Sequence, residues 1–281
     1  MYSIIAGSGA SSIAYQLGQN NKNLQKSLQR LSTMKKINSG ADDPGGLAMS
    51  MKLGISIRRT EAALSQVTST SSFLQTQDGV LDTANSILTR MAVLATSAGY
   101  SLATDTDRTL YQTEYSNLQQ QVEDMMSEAF NGISLFRNVG ATNVNTATTL
   151  AATISLTGQT MGLSQSDLGS VINLIGTSTS SLSRVDTQSN ATAALVAVNS
   201  AQQNLAQLRA INGSELNRVN FATDLLTVNK ENLEAANSRI VDLDYASEMV
   251  NYTRYGFIQD TNLALLTQAN ARWEKILKLL E

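Results

Sequence analysis

The chain of 281 residues has no cysteine and no histidine, a single proline at position 44 and one tryptophan. Each scarcity removes a class of function. Without Cys there are no disulfides, thiolate nucleophiles or thiolate metal sites. Without His there is no imidazole acid–base chemistry. With one proline, nearly the whole chain is free to be helical. Aromatic residues are only 5% against 42% hydrophobic in total, so the apolar surface is carried by Leu, Ile, Val, Ala and Met, which suit long helix interfaces better than a ligand pocket. The formal net charge is −3, which argues against bulk nucleic-acid binding. No segment reaches the roughly 20 apolar residues of a membrane span. Met1–Ser12 has no basic stretch ahead of an apolar run, so a cleaved signal peptide is not expected.

What is present is helical periodicity at both ends. Leu17, Leu24 and Leu31 recur every seven residues. Leu81, Ala84, Leu88, Met91, Ala95 and Ala98 alternate steps of three and four, as do Tyr111, Tyr115, Leu118, Val122, Met125 and Ala129. The longest seam runs Leu205, Leu208, Asn212, Glu215, Val219, Ala222, Leu226, Asn229, Leu233, Ala236, Ile240, Leu243, a helix of roughly 55–60 Å. A last seam is Leu266, Ala269, Trp273, Ile276 and Leu280. Between Asn138 and Asn190 more than half the residues are Ser, Thr, Asn or Gly. There, Ala152–Leu156 and Val171–Ile175 read as short strands between glycine turns. The alternative for this stretch is a disordered linker.

The expected fold is therefore mainly α: long antiparallel, coiled-coil-like helices from both termini with a small β-rich hairpin region in the middle. Residues 1–43 and 245–281 are expected to form an inner terminal coiled-coil domain, 44–137 and 191–244 an outer helical bundle, and 138–190 a short β-rich surface region. Narrow apolar seams cannot bury themselves alone, so the terminal helices call for partner helices from other copies. The residues expected at that subunit packing are Leu17, Leu24, Leu31, Leu266, Ala269, Trp273, Ile276 and Leu280. The segment Asp42-Asp43-Pro44-Gly45-Gly46 reads as a hinge: proline disfavours helix just before it and the glycines accept unusual dihedrals. A helix is expected to stop near here and a new one to begin around Leu47. Charge adds that residues 1–60 carry eight Lys/Arg against two Asp, and 231–281 eight Asp/Glu against five Lys/Arg, so the two ends could pair.

A search for chemistry finds none. Asp42-Asp43 and Asp242/Asp244 lack further acidic neighbours and read as capping carboxylates at turns. Gly7-Ser-Gly9 lacks the third glycine of a nucleotide loop. Arg58-Arg59 and Lys35-Lys36 have no interleaved aromatics for base stacking. No cofactor, metal or catalytic residue is expected.

The stretch from Leu28 to Ala48, with Leu31-Ser32, Ile37-Asn38-Ser39, Asp42-Asp43 and Gly46-Leu47-Ala48, resembles the N-terminal signature of bacterial flagellins. Gln77–Leu81, Leu88–Ala95 and Phe130-Asn131-Gly132-Ile133 are similar to its continuation. Asn232–Ile240, Asp242, Asp244, Glu248-Met249-Val250, Thr253-Arg254, Leu265-Leu266 and Gln268–Asn270 are similar to the C-terminal signature. The resemblance implies a structural subunit of the flagellar filament, secreted unfolded through the flagellar type III export machinery. Its implied partners are copies of itself, a flagellin chaperone, and hook-associated and cap proteins. The filament is implied to be extracellular, with a periplasmic flagellum as the other possibility. The family's innate-receptor segment falls around Leu88–Ala95, where Arg90 and Leu94 match. The chain departs from the pattern at Met34, where the family usually has Gly. A hook–filament junction protein is the alternative within the same export system, and a helical-bundle enzyme the alternative outside it.

Overall fold

A computed structural model describes residues 2–137, 149–153, 160–176 and 184–278. The elements are α1 (Tyr2–Thr33), α2 (Pro44–Gly99), α3 (Asp105–Met125), β1 (Ala129–Phe130), β2 (Ile133–Ser134), β3 (Thr149–Thr153), β4 (Thr160–Ser164), α4 (Leu168–Ile175), α5 (Gln188–Val241) and α6 (Tyr245–Lys278). The chain divides into two compact units, one of Met1–Ile57 with Glu231–Glu281 and one of Arg58–Lys230.

The second unit holds the apolar core. On α5 Ala191, Ala194, Val198, Ala201 and Leu205 are buried, and every expected seam residue from there to Lys230 is buried or half-buried, so the seam starts fourteen residues before Leu205. On α2 all six expected seam residues from Leu81 to Ala98 are buried. Arg209 of α5 pairs with Asp78 (3.2 Å) and Asp82 (2.7 Å) of α2, and Lys230 with Glu61 (3.0 Å), which aligns the two antiparallel helices. Inside the seam, Asn212 Nδ2 donates to the Leu74 carbonyl at 3.0 Å.

The α2–α3 corner is closed by one arginine. Arg108 donates from Nε to Ala98 O (2.9 Å) and from Nη2 to Tyr100 O (3.1 Å), satisfying carbonyls that the end of α2 leaves without helical partners. Thr104 and Asp107 form a reciprocal capping box at the start of α3. Asn131 and Gly132 both have positive φ (51° and 79°), the two-residue turn that a tight hairpin requires, and join β1 to β2. Phe130 meets Phe73 edge-to-face at 6.1 Å.

The middle region differs in part from expectation. β3 and β4 pair antiparallel from Thr149↔Ser164 to Thr153↔Thr160, so Ala152 and Thr153 are in a strand, while Ile154–Leu156 lie outside the described residues. Val171–Ile175, expected as a strand, is the second half of helix α4. Asp167 caps that helix by accepting from Ser170 N at 3.2 Å. Leu168, Val171, Ile172 and Ile175 fall on one helical face and are all buried. Gln119 Nε2 donates to Ile175 O at 2.7 Å and holds the helix end against α3.

Candidate assembly surface: the paired terminal helices

In the first unit α1 packs antiparallel on α6. Asn20 Nδ2 donates to Tyr255 O at 2.7 Å, and Ser27 Oγ lies 3.5 Å from Glu248 O, one heptad along each helix in opposite directions. Leu17, Leu24 and Leu31 lie half-buried on the same stripe of α1, and Leu266 and Ala269 half-buried on α6. The side chains of Trp273 and Ile276, and all of Leu280, lie outside the described residues. The fully buried positions among the described side chains of these two helices are Asn20, Ser27, Glu248 and Asn262, all polar. Sequence reasoning passed over them. The signal was available, because Asn20 and Ser27 alternate with the leucines in steps of three and four.

The outer face of α6 carries exposed apolar residues, and α1 exposes two large ones. Tyr15 (69% exposed), Leu28, Val250 and Phe257 (74% exposed) face solvent, and Met249, Val250, Thr253, Arg254 and Phe257 line an open groove along α6. Of the basic N-terminal and acidic C-terminal charges, Arg30 lies 3.9 Å from Glu248, whereas Lys26 pairs locally with Asp42 at 2.7 Å.

Two helical breaks lie side by side beside this pair. α1 ends at Thr33, and Met34 takes a left-handed φ of 56°, the conformation glycine adopts most easily after a helix. Met34 O accepts from Leu243 N (3.2 Å), Lys36 N donates to Val241 O (2.7 Å), and Lys35 bridges Asp242. Thus residues 34–36 pair with 241–243, at the break that separates α5 from α6. Asp244 caps α6 through Ser247 N.

The five expected hinge residues sit at the end of the first break. Asp42 closes a loop: its Oδ2 accepts from the amides of Asn38 (3.2 Å) and Ser39 (3.1 Å), and its Oδ1 meets Lys26. The hydrogen bond from Lys26, with help from the two amides and against the cost of burial, lowers its pKa from 3.8 to about 2. Asp43 is the helix cap, accepting from Gly46 N at 2.9 Å. Helix α2 therefore begins at Pro44, earlier than the expected start around Leu47, with proline in the first-turn position it favours. A β-carbon on Gly46 would sit 2.5 Å from Asp43 Oδ2 and 2.6 Å from Ile37 Cδ1; on Gly45 the nearest atom is at 3.5 Å.

Gly46→Ala displaces the capping carboxylate and costs about 1–2 kcal/mol, whereas Gly45→Ala is neutral within about 0.5 kcal/mol. Thermal melting of the assembled protein separates the two. For Asp42, a folded pKa below the ordinary one means that its contribution is complete above about pH 4 and fades as pH falls towards 2. In assembled protein the Asn38 and Ser39 amides should be protected from exchange at pH 5 and lose that protection across this window. In Asp42→Ala they should exchange freely throughout. Protection unchanged between pH 4 and 2.5 in the native chain would contradict the assignment.

Arg90 and Leu94, expected from the resemblance to lie in an innate-receptor segment, have different surroundings. Arg90 is exposed and holds Glu114 bidentately (2.7 and 3.0 Å), a bond that lowers the Glu114 pKa. Leu94 is 3% exposed, inside the core. No described helix is long and apolar enough to cross a membrane.

Comparison with known proteins bears on these features. The bacterial flagellin N-terminal helical region matches residues 8–141, and the bacterial flagellin C-terminal helical region matches 195–280. The flagellar filament 30.7 kDa core protein of Treponema maltophilum is 32% identical, and flagellin FlaB2 of Treponema pallidum 30% identical. Each alignment covers 94% of both chains. A putative flagellar hook-associated protein from Vibrio parahaemolyticus has the same fold, with a TM-score of 0.59 at 18% identity, covering 72% of this chain and 100% of that one.

Proposed function

This chain belongs to the bacterial flagellin family and is a structural subunit of a flagellar filament, and from that premise we propose how its parts divide the work. Residues 1–43 and 245–281 form the inner domain through which subunits pack. Residues 44–137 and 191–244 form the outer helical domain, and 138–190 its outward surface. The observation that supports this reading is the solvent-facing apolar stripe of α6, with Met249, Val250 and Phe257, which a single copy leaves uncovered. Burying such a stripe between copies offsets the entropy of ordering long helices.

Subunit packing runs through Leu17, Leu24, Leu31, Leu266 and Ala269, continued by Trp273, Ile276 and Leu280. The Asp42–Gly46 segment is the hinge that lets subunits adopt more than one packing. The chain leaves the cell through the flagellar type III export machinery with a flagellin chaperone, joins hook-associated and cap proteins at the filament ends, and stands outside the cell. It has no catalytic role. Any innate-receptor contact rests on Arg90, since Leu94 is core.

Purified chain, concentrated with and without short filament seeds, tests the reading by sedimentation and negative-stain microscopy. Long filaments of indefinite length are expected. A chain that stays monomeric, or stops at short rings as a junction protein would, overturns it. Protease added to intact cells tests the location: filaments outside the cell are cleaved, and periplasmic ones survive until the outer membrane is breached.

A further inference from the structure

We infer that the seam between α2 and α5 in the second unit holds one dehydrated monovalent cation, sodium or potassium, on the side-chain oxygens of Gln77, Asn212 and Glu215. The inference does not depend on the filament reading.

These three polar side chains interrupt a largely apolar seam, and all are buried: Gln77 is 0% exposed, Asn212 2% and Glu215 5%. They belong to one layer. Asn212 Nδ2 reaches the Leu74 carbonyl at 3.0 Å, and Gln77 follows Leu74 by one turn on the same buried face of α2. Glu215 follows Asn212 by one turn on the buried face of α5. Helical side chains lean towards the N-terminus of their own helix. Gln77 therefore leans towards the level of Leu74, and Glu215, on the antiparallel helix, towards the level of Asn212.

Both amides aim their nitrogens at backbone. Gln77 Nε2 donates to Leu135 O at 2.6 Å, and Asn212 Nδ2 donates to Leu74 O. Gln77 Oε1 and Asn212 Oδ1 are left buried with no donor. A buried amide oxygen in that state costs free energy that a ligand can recover. Arg209, the cation one turn before Asn212, is engaged by Asp78 and Asp82. A water would offer the amide oxygens donors but no charge. A small cation takes lone pairs from the amide oxygens and balances carboxylate charge at the same point. One carboxylate with two neutral amides suits a single positive charge. Calcium needs more oxygens than this layer offers, and magnesium keeps several waters that a packed seam excludes. Among the described residues no group of three or more acidic side chains comes together to hold a metal ion.

Thermal melting of the full-length chain in equal concentrations of choline, sodium and potassium chloride tests the site. Choline is too large to enter a packed helix seam. The transition of the Arg58–Lys230 unit is expected roughly 2–4 °C higher in sodium or potassium chloride than in choline chloride, with a shift that saturates as the salt is raised. The more effective ion is the occupant. Glu215→Gln keeps the shape and removes the charge, and Asn212→Leu removes one oxygen; in whichever of them folds, the difference between salts should vanish. Leu88→Ala lowers the melting temperature but leaves all three oxygens, so it should keep the full difference. The site is overturned if the native chain melts alike in all three salts, which would leave the amide oxygens to buried water. It is also overturned if Glu215→Gln or Asn212→Leu retains the whole difference, which would put the ion elsewhere.

Discussion

A chain carrying Leu24→Asp is expected to remain in the supernatant at concentrations where the native chain pellets as filaments. Leu24 lies half-buried on α1, midway between Asn20 and Ser27 on the stripe that faces α6. A carboxylate buried there on assembly is expected to cost several kcal/mol. Because every subunit repeats the defect, the concentration needed for assembly rises by roughly 100-fold or more. The second unit contains none of the residues involved, so its thermal unfolding should be unchanged. Normal filaments from this variant would place Leu24 outside any buried seam.

Leu88→Ala should have the opposite signature. Leu88 is fully buried on α2 and belongs to the same core as Met91, Tyr115 and Leu205. Truncation there leaves a cavity and costs about 2–5 kcal/mol. For a unit of this size that lowers the melting temperature by roughly 5–15 °C. Below that lowered transition the variant should still assemble, since the terminal stripe is untouched. A melting temperature unchanged from the native chain would mean that the α2 seam is not packed as described.

The elements that could be read from sequence share one property: a long run in which mostly apolar residues keep a strict three-four step. The α5 seam from Leu205 and the α2 seam from Leu81 are of this kind; the α2 seam is buried throughout, and the α5 seam is buried or half-buried at each position. The same rule missed the first turns of α5, because Ala191, Ala194 and Ala201 are small and give a faint pattern. It misread Val171–Ile175 because a five-residue apolar run fits a strand and a short helix equally well. The deciding signal was Asp167, three residues before the Ser170 amide that it caps. Leu94 could have been placed in the core from its step after Met91. Asn20 and Ser27 escaped because on α1 only the seven-residue leucine step was followed, although these residues alternate with the leucines in steps of three and four. The left-handed Met34 was beyond any pattern rule, since its conformation is one that side-chain-bearing residues avoid. Tertiary pairing of Met34 O with Leu243 N accompanies it there.

We expect α1 and α6 to become ordered partners only within the filament, while the Arg58–Lys230 unit is folded in either state. Backbone hydrogen exchange on the free chain and on the polymer tests this directly. In the free chain, amides of α1 from Ser11 onward and of α6 should exchange orders of magnitude faster than those around Leu81–Ala98 and Ala191–Leu226. In the polymer all four groups should be slow. Equal, strong protection of α1 and α6 in the free chain and the polymer would contradict the account.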